Sequence, residues 1–162
     1  MDLFLLRHGI AEDPKAGQSD ALRALTAEGR TRLKQVLETA HRAKVEPTLI
    51  ISSPLKRAVE TAEIASKILG YEGTMLKSDA LQPDSDPEDV WQEIRDHRAE
   101  PAILLAGHQP LFSQLTAYML GAPSARVDFK KGGLLQLTVD SFPAHPRAML
   151  GWYLVPKLAA GA

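Results

Sequence analysis

The 162-residue sequence contains no cysteine, which excludes disulfides, thiolate metal sites and cysteine nucleophiles. It has no apolar run long enough to cross a bilayer. It also has no excess of charge, because 19 basic residues stand against 20 acidic ones. This balance gives no electrostatic reason to expect a nucleic-acid or membrane partner. Any site for an anion must therefore come from a local cluster of residues.

The N-terminus lacks the basic region that begins a signal peptide, since Asp2 follows the first methionine and a strand-like run starts at once. We therefore expect a cytoplasmic protein. A hydrophobic content of 44% and a charged content of 24% are typical of a globular protein of this length. We expect one domain over residues 1–162, acting as a monomer.

Short apolar runs alternate with helical patterns along most of the chain. Strands are predicted at residues 2–7, 48–52, 74–77, 102–106, 133–139 and 149–155. Helices are predicted to follow the caps Thr26, Ser53 and Asp86, ending near residues 43, 69 and 97, and to span residues 110–120. Residues 11–21 and 79–89 are expected to be loops. The alternation predicts a three-layer α/β/α sandwich with a mostly parallel sheet, and the last two strands predict an antiparallel edge.

Polar residues follow three of the predicted strands. They are Arg7 and His8 after the first, Ser52, Ser53 and Arg57 after the second, and Gly107 and His108 after the fourth. The carboxyl ends of parallel strands meet at one edge of a sheet, which is where open α/β sheets bind ligands. Two arginines, two histidines and a helix N-terminus at that edge favour a phosphate or another oxyanion. Glycines at positions 9 and 107 are expected to let the backbone approach the ligand.

Each cluster taken singly also fits a solvated surface. Arg57, for example, would then pair with Glu60 one turn further along its helix. Three such clusters at matching strand ends favour a functional site over this simpler interpretation. Lys130 and Lys131, near the final hairpin, are expected to face water.

The three clusters resemble, in the same order, the motifs of the histidine phosphatase superfamily, the phosphoglycerate mutase-like proteins. The family's RHG triplet corresponds to Arg7-His8-Gly9, its SPLxRAxxTA segment to residues 53–62, and its later GH pair to Gly107-His108. Residues 25–29 (LTAEG) resemble its LTxxG helix start. The resemblance covers about residues 2–155. The short chain, with Arg23 just before that helix start, is similar to the small bacterial phosphohistidine phosphatase (SixA-like) type.

This resemblance implies a phosphoglycerate mutase-like fold and a phosphatase that forms phosphohistidine on His8. The ring must then be neutral, with its other nitrogen bound to a backbone carbonyl. Arg7 and Arg57 would hold the phosphoryl oxygens, and His108 would donate to them as an imidazolium. Arg23 would add a third guanidinium or contact the substrate, which Gly9 would also approach. No metal or other cofactor is implied, because fixed cations neutralise the phosphoryl group; histidine metal ligands are the weaker interpretation, since the adjacent arginines repel a cation.

The position of a general acid is open. Ester-cleaving members of the family protonate the leaving alcohol with a carboxylic acid, but Gln109 follows His108 here and an amide cannot do this. Asp79, Asp84 and Glu12 remain as candidates, although a solvated turn is the simpler interpretation of the acidic loop.

A missing acid favours a phosphorus–nitrogen bond as the target. A phosphorylated imidazole can protonate at its far nitrogen and leave as a neutral ring, whereas an alkoxide is a poor leaving group. We therefore predict a phosphatase acting on phosphohistidine of a phosphoprotein. The alternatives are a phosphomonoesterase for a small phosphorylated metabolite, such as a sugar phosphate or nucleotide, and a non-catalytic phosphate-binding module.

Overall fold

A computed structural model of the protein describes residues 1–161. The strands are β1 (Asp2–Arg7), β2 (Leu49–Ser52), β3 (Leu76–Lys77), β4 (Ala102–Gly107), β5 (Leu134–Val139) and β6 (Ala148–Leu154). The helices are α1 (Ala27–Arg42), α2 (Lys56–Leu69), α3 (Pro87–Asp96), α4 (Leu111–Met119) and α5 (Pro156–Ala159).

The six strands form one sheet in the order β3-β2-β4-β1-β5-β6. Strands β1 to β4 are parallel, and β5 runs antiparallel to both β1 and β6. Hydrophobic residues of α3 and α4 pack on one face, and those of α1, α2 and α5 on the other. The predicted α/β/α sandwich with an antiparallel edge is confirmed. None of the helices within residues 1–161 has the length and hydropathy needed to cross a membrane.

Several predicted boundaries differ from the observed ones. Helix α2 begins at Lys56 with Leu55 as its N-cap, and not after Ser53. The Ser53 hydroxyl accepts from the Leu55 N–H at 3.3 Å and also lies 2.8 Å from His108 Nε2. Two predicted loops each contain a 3-10 turn, at Asp20–Leu22 and at Asp79–Leu81. Strand β3 has only two residues, and the four-residue α5 is too short to produce a periodic signal in the sequence.

The loop after β1 is packed tightly against the start of α1. Thr26 caps this helix by accepting a hydrogen bond from the Gly29 N–H at 2.9 Å, and its own N–H donates to the Ile10 carbonyl at 2.9 Å. A Cβ atom at Gly29 would lie 2.2 Å from that carbonyl oxygen, and one at Gly9 would lie 3.2 Å from the Gly29 carbonyl. Close backbone approach therefore explains both glycines and fixes the segment that contains His8.

Candidate active site

The parallel strands bring the three polar clusters of the sequence to one edge of the sheet. Strands β1 and β4 pair so that Arg7 lies opposite Gly107, and the His8 N–H donates to the Gly107 carbonyl at 2.9 Å. The rings of His8 and His108 have centroids 5.1 Å apart. Arg57, in the first turn of α2, is close enough for its charge to influence both histidines. We call Arg7, His8, Arg57 and His108 the four-residue cluster.

The His8 ring is held in one orientation and one tautomer. Its Nδ1 lies 2.7 Å from the Gly9 carbonyl oxygen, and because a carbonyl can only accept, Nδ1 carries the proton. Nε2 therefore has a free lone pair in the neutral ring. Burial lowers the pKa of His8 to about 3, opposed by the bond to Gly9 and assisted by the charges of Arg57 and Arg7. The ring is thus neutral at pH 7, as a nucleophile requires.

His108 is neutral as well in the protein without a bound phosphoryl group, and its role as an imidazolium donor to such a group stays a prediction. Its side chain is buried, and Nε2 lies 2.8 Å from the Ser53 hydroxyl. Burial, followed by the influence of His8 and the charge of Arg57, lowers the pKa of His108 to about 3. Without a bound anion, a further positive charge is costly in a buried cluster that already contains two arginines. A bound phosphoryl dianion would act in the opposite direction and raise this pKa.

The two arginines present hydrogen-bond donors that the protein does not use. Arg57 is only 4% exposed, and its guanidinium donates to the Asp20 backbone carbonyl at 3.0 Å. Arg7 donates to the Phe129 carbonyl. Within residues 1–161, Nε of both arginines and Nδ1 of His108 are buried without a hydrogen-bond partner. The unpaired guanidinium N–H groups, beside concentrated positive charge, suit a site for an oxyanion.

Asp20 is a member of the site that sequence analysis did not find. Its carboxylate lies 2.7 Å from Arg23 Nε and 3.1 Å from a terminal nitrogen of Arg57. Burial raises the pKa of Asp20, but the hydrogen bond from Arg23 and the charge of Arg57 outweigh this and hold the pKa below its ordinary value. No motif or periodicity marks an aspartate in a polar loop, so only the folded chain identifies it.

Arg23 was predicted to contact the substrate as a third guanidinium. In the structure it is held by the Asp20 carboxylate and donates to the Glu12 backbone carbonyl at 2.9 Å. Its contacts therefore fix the position of the loop that carries Asp20. A direct contact between Arg23 and a substrate stays a prediction.

Gly9 has a different environment from the one expected. Its N–H donates to Thr61 Oγ1 at 3.2 Å, and its carbonyl accepts from His8. Both polar backbone atoms are thus used within the protein, and Gly9 orients His8 rather than offering atoms to a ligand. At Gly107, a Cβ atom would lie 2.7 Å from the Phe112 ring, so this glycine also serves internal packing.

The candidate acids have contacts of their own. The Glu12 carboxylate lies 3.4 Å from Lys15, Asp79 accepts from the Gln82 amide at 2.8 Å, and Asp84 is exposed. None of these contacts is with the four-residue cluster in the described part of the chain, residues 1–161. Over the same residues, no group of three or more histidine, cysteine, aspartate or glutamate side chains is arranged to hold a metal ion.

The two buried histidines make stability depend on pH. Their pKa values of about 3 lie below the ordinary 6.5, so between these values the unfolded chain binds protons that the folded protein does not. The stability contributed by the neutral rings is complete above pH 6.5 and is lost as the pH falls toward 3. We expect the free energy of unfolding to fall by up to about 1.4 kcal/mol per pH unit for each ring. Urea denaturation between pH 7.5 and 5.5 measures this slope.

Histidine variants separate this effect from the titration of other groups. His8→Asn is expected to remove about half of the slope, since one of two buried rings is gone. His145→Asn, at an exposed histidine, serves as the matched control and should keep the wild-type slope. Identical slopes in all three proteins would contradict the assignment of the pH dependence to the buried rings.

A mostly parallel α/β sheet with histidines and arginines at the carboxyl edge of its parallel strands is typical of α/β proteins that bind phosphate groups. The family model "Histidine phosphatase superfamily (branch 1)" matches residues 3–82. An uncharacterized protein of Picosynechococcus sp. is 32% identical over 139 residues, which are 85% of this chain and 84% of that relative. The chain therefore belongs to the histidine phosphatase superfamily, and this protein is a phosphatase.

Solved structures show the same fold. The protein histidine phosphatase SixA complexed with tungstate has a TM-score of 0.88 at 24% identity, covering 98% of this chain and 99% of that one. The alpha-ribazole phosphatase from Shigella flexneri has a TM-score of 0.72 at 19% identity, covering 93% and 95%. At these sequence identities the likeness to the two solved structures concerns the fold alone.

Proposed function

We propose that this phosphatase hydrolyses phosphohistidine on a protein, through a covalent phosphohistidine on its own His8. The observation that carries the proposal is the combination of a neutral, oriented histidine with buried arginines and no contact to a protonated acid within residues 1–161. Asp20, the carboxylate bound to Arg57, is held in its ionised form by two arginines and cannot donate a proton. Gln109, which follows His108, accepts from the Ser113 N–H at 2.9 Å.

The first step transfers the phosphoryl group to His8. The Nε2 lone pair attacks phosphorus and forms a new P–N bond, while the P–N bond of the substrate breaks. The bonding electrons go to the departing nitrogen, and the far nitrogen of that ring retains its proton, so the imidazole leaves neutral. Arg7 and Arg57 stabilise the charge on the three equatorial oxygens, and His108 donates to them.

The second step restores the enzyme. Water attacks phosphorus of the His8 adduct, a P–O bond forms, and the electrons of the breaking P–N bond return to Nε2. Both protons of the water leave with the inorganic phosphate. Inorganic phosphate leaves and the ring becomes neutral again, with its Nδ1 proton still donated to the Gly9 carbonyl. The proposed mechanism uses the fixed charge of the arginines in both steps and assigns no role to a metal or other cofactor.

The absence of an acid affects the two substrate classes unequally. General acid catalysis is worth roughly 10²–10⁴-fold, and the departure of an alkoxide needs it whereas the departure of a neutral imidazole does not. The likeness to the protein histidine phosphatase SixA supports the same choice. The likeness to the alpha-ribazole phosphatase supports the second candidate, a phosphomonoesterase for a small phosphorylated molecule.

The test compares phosphate release from a phosphohistidine-bearing protein and from an ordinary phosphate ester. For the wild type we expect kcat/KM to be at least about 100-fold higher with phosphohistidine, and for His8→Ala we expect loss of both activities. The matched controls are Asp79→Asn, Asp84→Asn and Glu12→Gln. If one of these carboxyl groups is the general acid, its replacement would abolish ester hydrolysis and leave phosphohistidine hydrolysis in place. A preference for the ester would instead identify a small-molecule phosphatase, and release from neither substrate would indicate a phosphate-binding module.

A further inference from the structure

A groove with a volume of about 660 Å³ lies beside the four-residue cluster, on the side of Arg7. It is lined by charged residues from β1, α1, α5 and the loop before β5, which are Arg7, Arg32, Lys130, Lys131, Lys157 and the acidic Asp128. The whole chain has a net charge of −1, so five basic residues against one acidic residue is a local concentration of charge. We call this feature the basic groove.

The loop that carries the two groove lysines is fixed to the segment that holds His8. The Gly132 N–H donates to the His8 carbonyl at 3.0 Å, and the Arg7 N–H donates to the Gly133 carbonyl at 3.1 Å. Lys131, the residue before Gly132, is exposed as expected and also lines the groove beside the nucleophile. Burial is the main cause of the low pKa of His8, but the charge of Lys131 adds to it.

Strand β6 supports the same loop from the other side. The Lys130 N–H donates to the Tyr153 hydroxyl at 2.6 Å, and that hydroxyl donates to the Asp128 carbonyl at 3.2 Å. A Cβ atom at Gly133 would lie 2.8 Å from the same hydroxyl. The lysine backbones are therefore held in place, while their exposed side chains extend into the groove.

Little of the positive charge in the groove is neutralised. Lys130 pairs with Asp128, and Arg32 pairs with Glu28 along α1, but both pairs are exposed and such pairs are weak. Within residues 1–161, Lys131 and Lys157 have no ion pair closer than 4.0 Å. The groove thus keeps a positive potential that leads to Arg7 and favours an anionic partner.

We propose that the basic groove binds acidic side chains that flank the phosphohistidine of the protein substrate, an inference that rests on the proposed function. Its free cations are exposed lysines on separate elements, and lysine is a mobile point charge suited to carboxylates at varied positions. A second phosphoryl group of a small molecule would need several donors that converge on one point, whereas Lys131 and Lys157 lie on separate elements. Arg7 belongs to both the groove and the cluster, so an acidic segment in the groove lies next to the transferred phosphoryl group.

The test uses two phosphohistidine peptides, one with glutamates flanking the phosphohistidine and one with glutamines in their place, together with phosphoimidazole. For the wild type we expect kcat/KM to be about tenfold higher for the glutamate peptide at low salt, and the preference to vanish near about 0.5 M salt. The double variant Arg32→Glu/Lys157→Glu should bring the ratio of the two peptides to about one or below. The neutral pair Arg32→Gln/Lys157→Gln should lower the ratio partly and avoids placing a glutamate beside Glu28.

The matched control is Lys34→Glu/Lys67→Glu, which makes the same charge change at exposed lysines of α1 and α2 that line a different cavity. It should keep the wild-type peptide ratio. An unchanged ratio in the groove variants, with all peptides still turned over, overturns the inference and leaves the proposed function intact. A small bisphosphate can also be added as a competitive inhibitor of peptide turnover. If the groove variants weaken this inhibition but leave the peptide ratio unchanged, the groove binds small molecules and the inference is again overturned. Turnover of none of the three substrates by the wild type overturns the proposed function and the inference with it.

Discussion

His8→Asn is expected to lower phosphatase turnover by at least about 10⁴-fold, because it removes the atom that forms the covalent intermediate. The wild type, mixed with radiolabelled substrate and quenched rapidly, should carry label in a linkage that is labile in acid and stable in base, as a phosphohistidine is. His8→Asn should carry none. Asparagine has no lone pair comparable to that of Nε2, while its amide can still donate to the Gly9 carbonyl and leave the fold in place.

His108→Asn separates the roles of the two neighbouring rings. The ring centroids are 5.1 Å apart, so a phosphoryl group bound beside one ring would also lie close to the other, and either histidine is a candidate nucleophile. Only His8 has a tautomer fixed by a carbonyl, and we expect His108→Asn to slow turnover yet still become labelled. Label that persists in His8→Asn and disappears in His108→Asn would reverse the assignment.

Arg57→Ala is expected to lower kcat/KM by about 10²–10³-fold, the usual effect of removing one fixed donor to developing negative charge. Arg57 is nearly fully buried and has an unpaired Nε, so its guanidinium is positioned before the substrate arrives. Arg57→Lys should recover part of the loss, because an ammonium retains the charge but not the planar fork. Steady-state kinetics with the preferred substrate measures both variants.

The control for this prediction lies one residue away. Lys56 is exposed at the start of the same helix, so Lys56→Ala removes a positive charge without touching the buried cluster. We expect its kcat/KM to stay within about twofold of the wild type. Equal losses in Lys56→Ala and Arg57→Ala would mean that Arg57 acts only through the general field of the protein.

Burial is the main cause that lowers the pKa of both histidines, but loss of the Arg57 charge should still raise both pKa values.

Most of the sheet was predictable from the sequence because its signals are local. The apolar runs that became β1, β2 and β4 are nearly continuous, as expected of parallel strands buried on both faces. Leu33, Val36, Leu37 and Ala40 recur at helical spacing in the sequence, and they form the buried face of α1. Elements of two to four residues, such as β3 and α5, contain too few positions for any period to emerge, and their existence depends on what they pack against.

The grouping of Arg7, His8, Arg57 and His108 followed from sequence order, since strand ends in a parallel sheet share one edge. The contacts that set their chemistry did not. Asp20 meets Arg57 across 37 positions, Ser53 meets His108 across 55, and Phe129 offers its carbonyl to Arg7 across 122. No periodicity links residues so far apart, so these pairs arise only when the chain closes on itself.

The protonation states of His8 and His108 also depend on the tertiary structure. The sequence established which titratable groups are present and, through the strand ends, that they converge on a site for an oxyanion. Tertiary structure decided that His8 and His108 are both neutral, because burial and the nearby guanidinium groups act on them only in the folded chain. Tertiary structure also decided that the loop carrying Lys130 and Lys131 lies against His8. The lysine charge acts on His8 for this reason, because electrostatic interaction depends on distance in space and not on position along the chain.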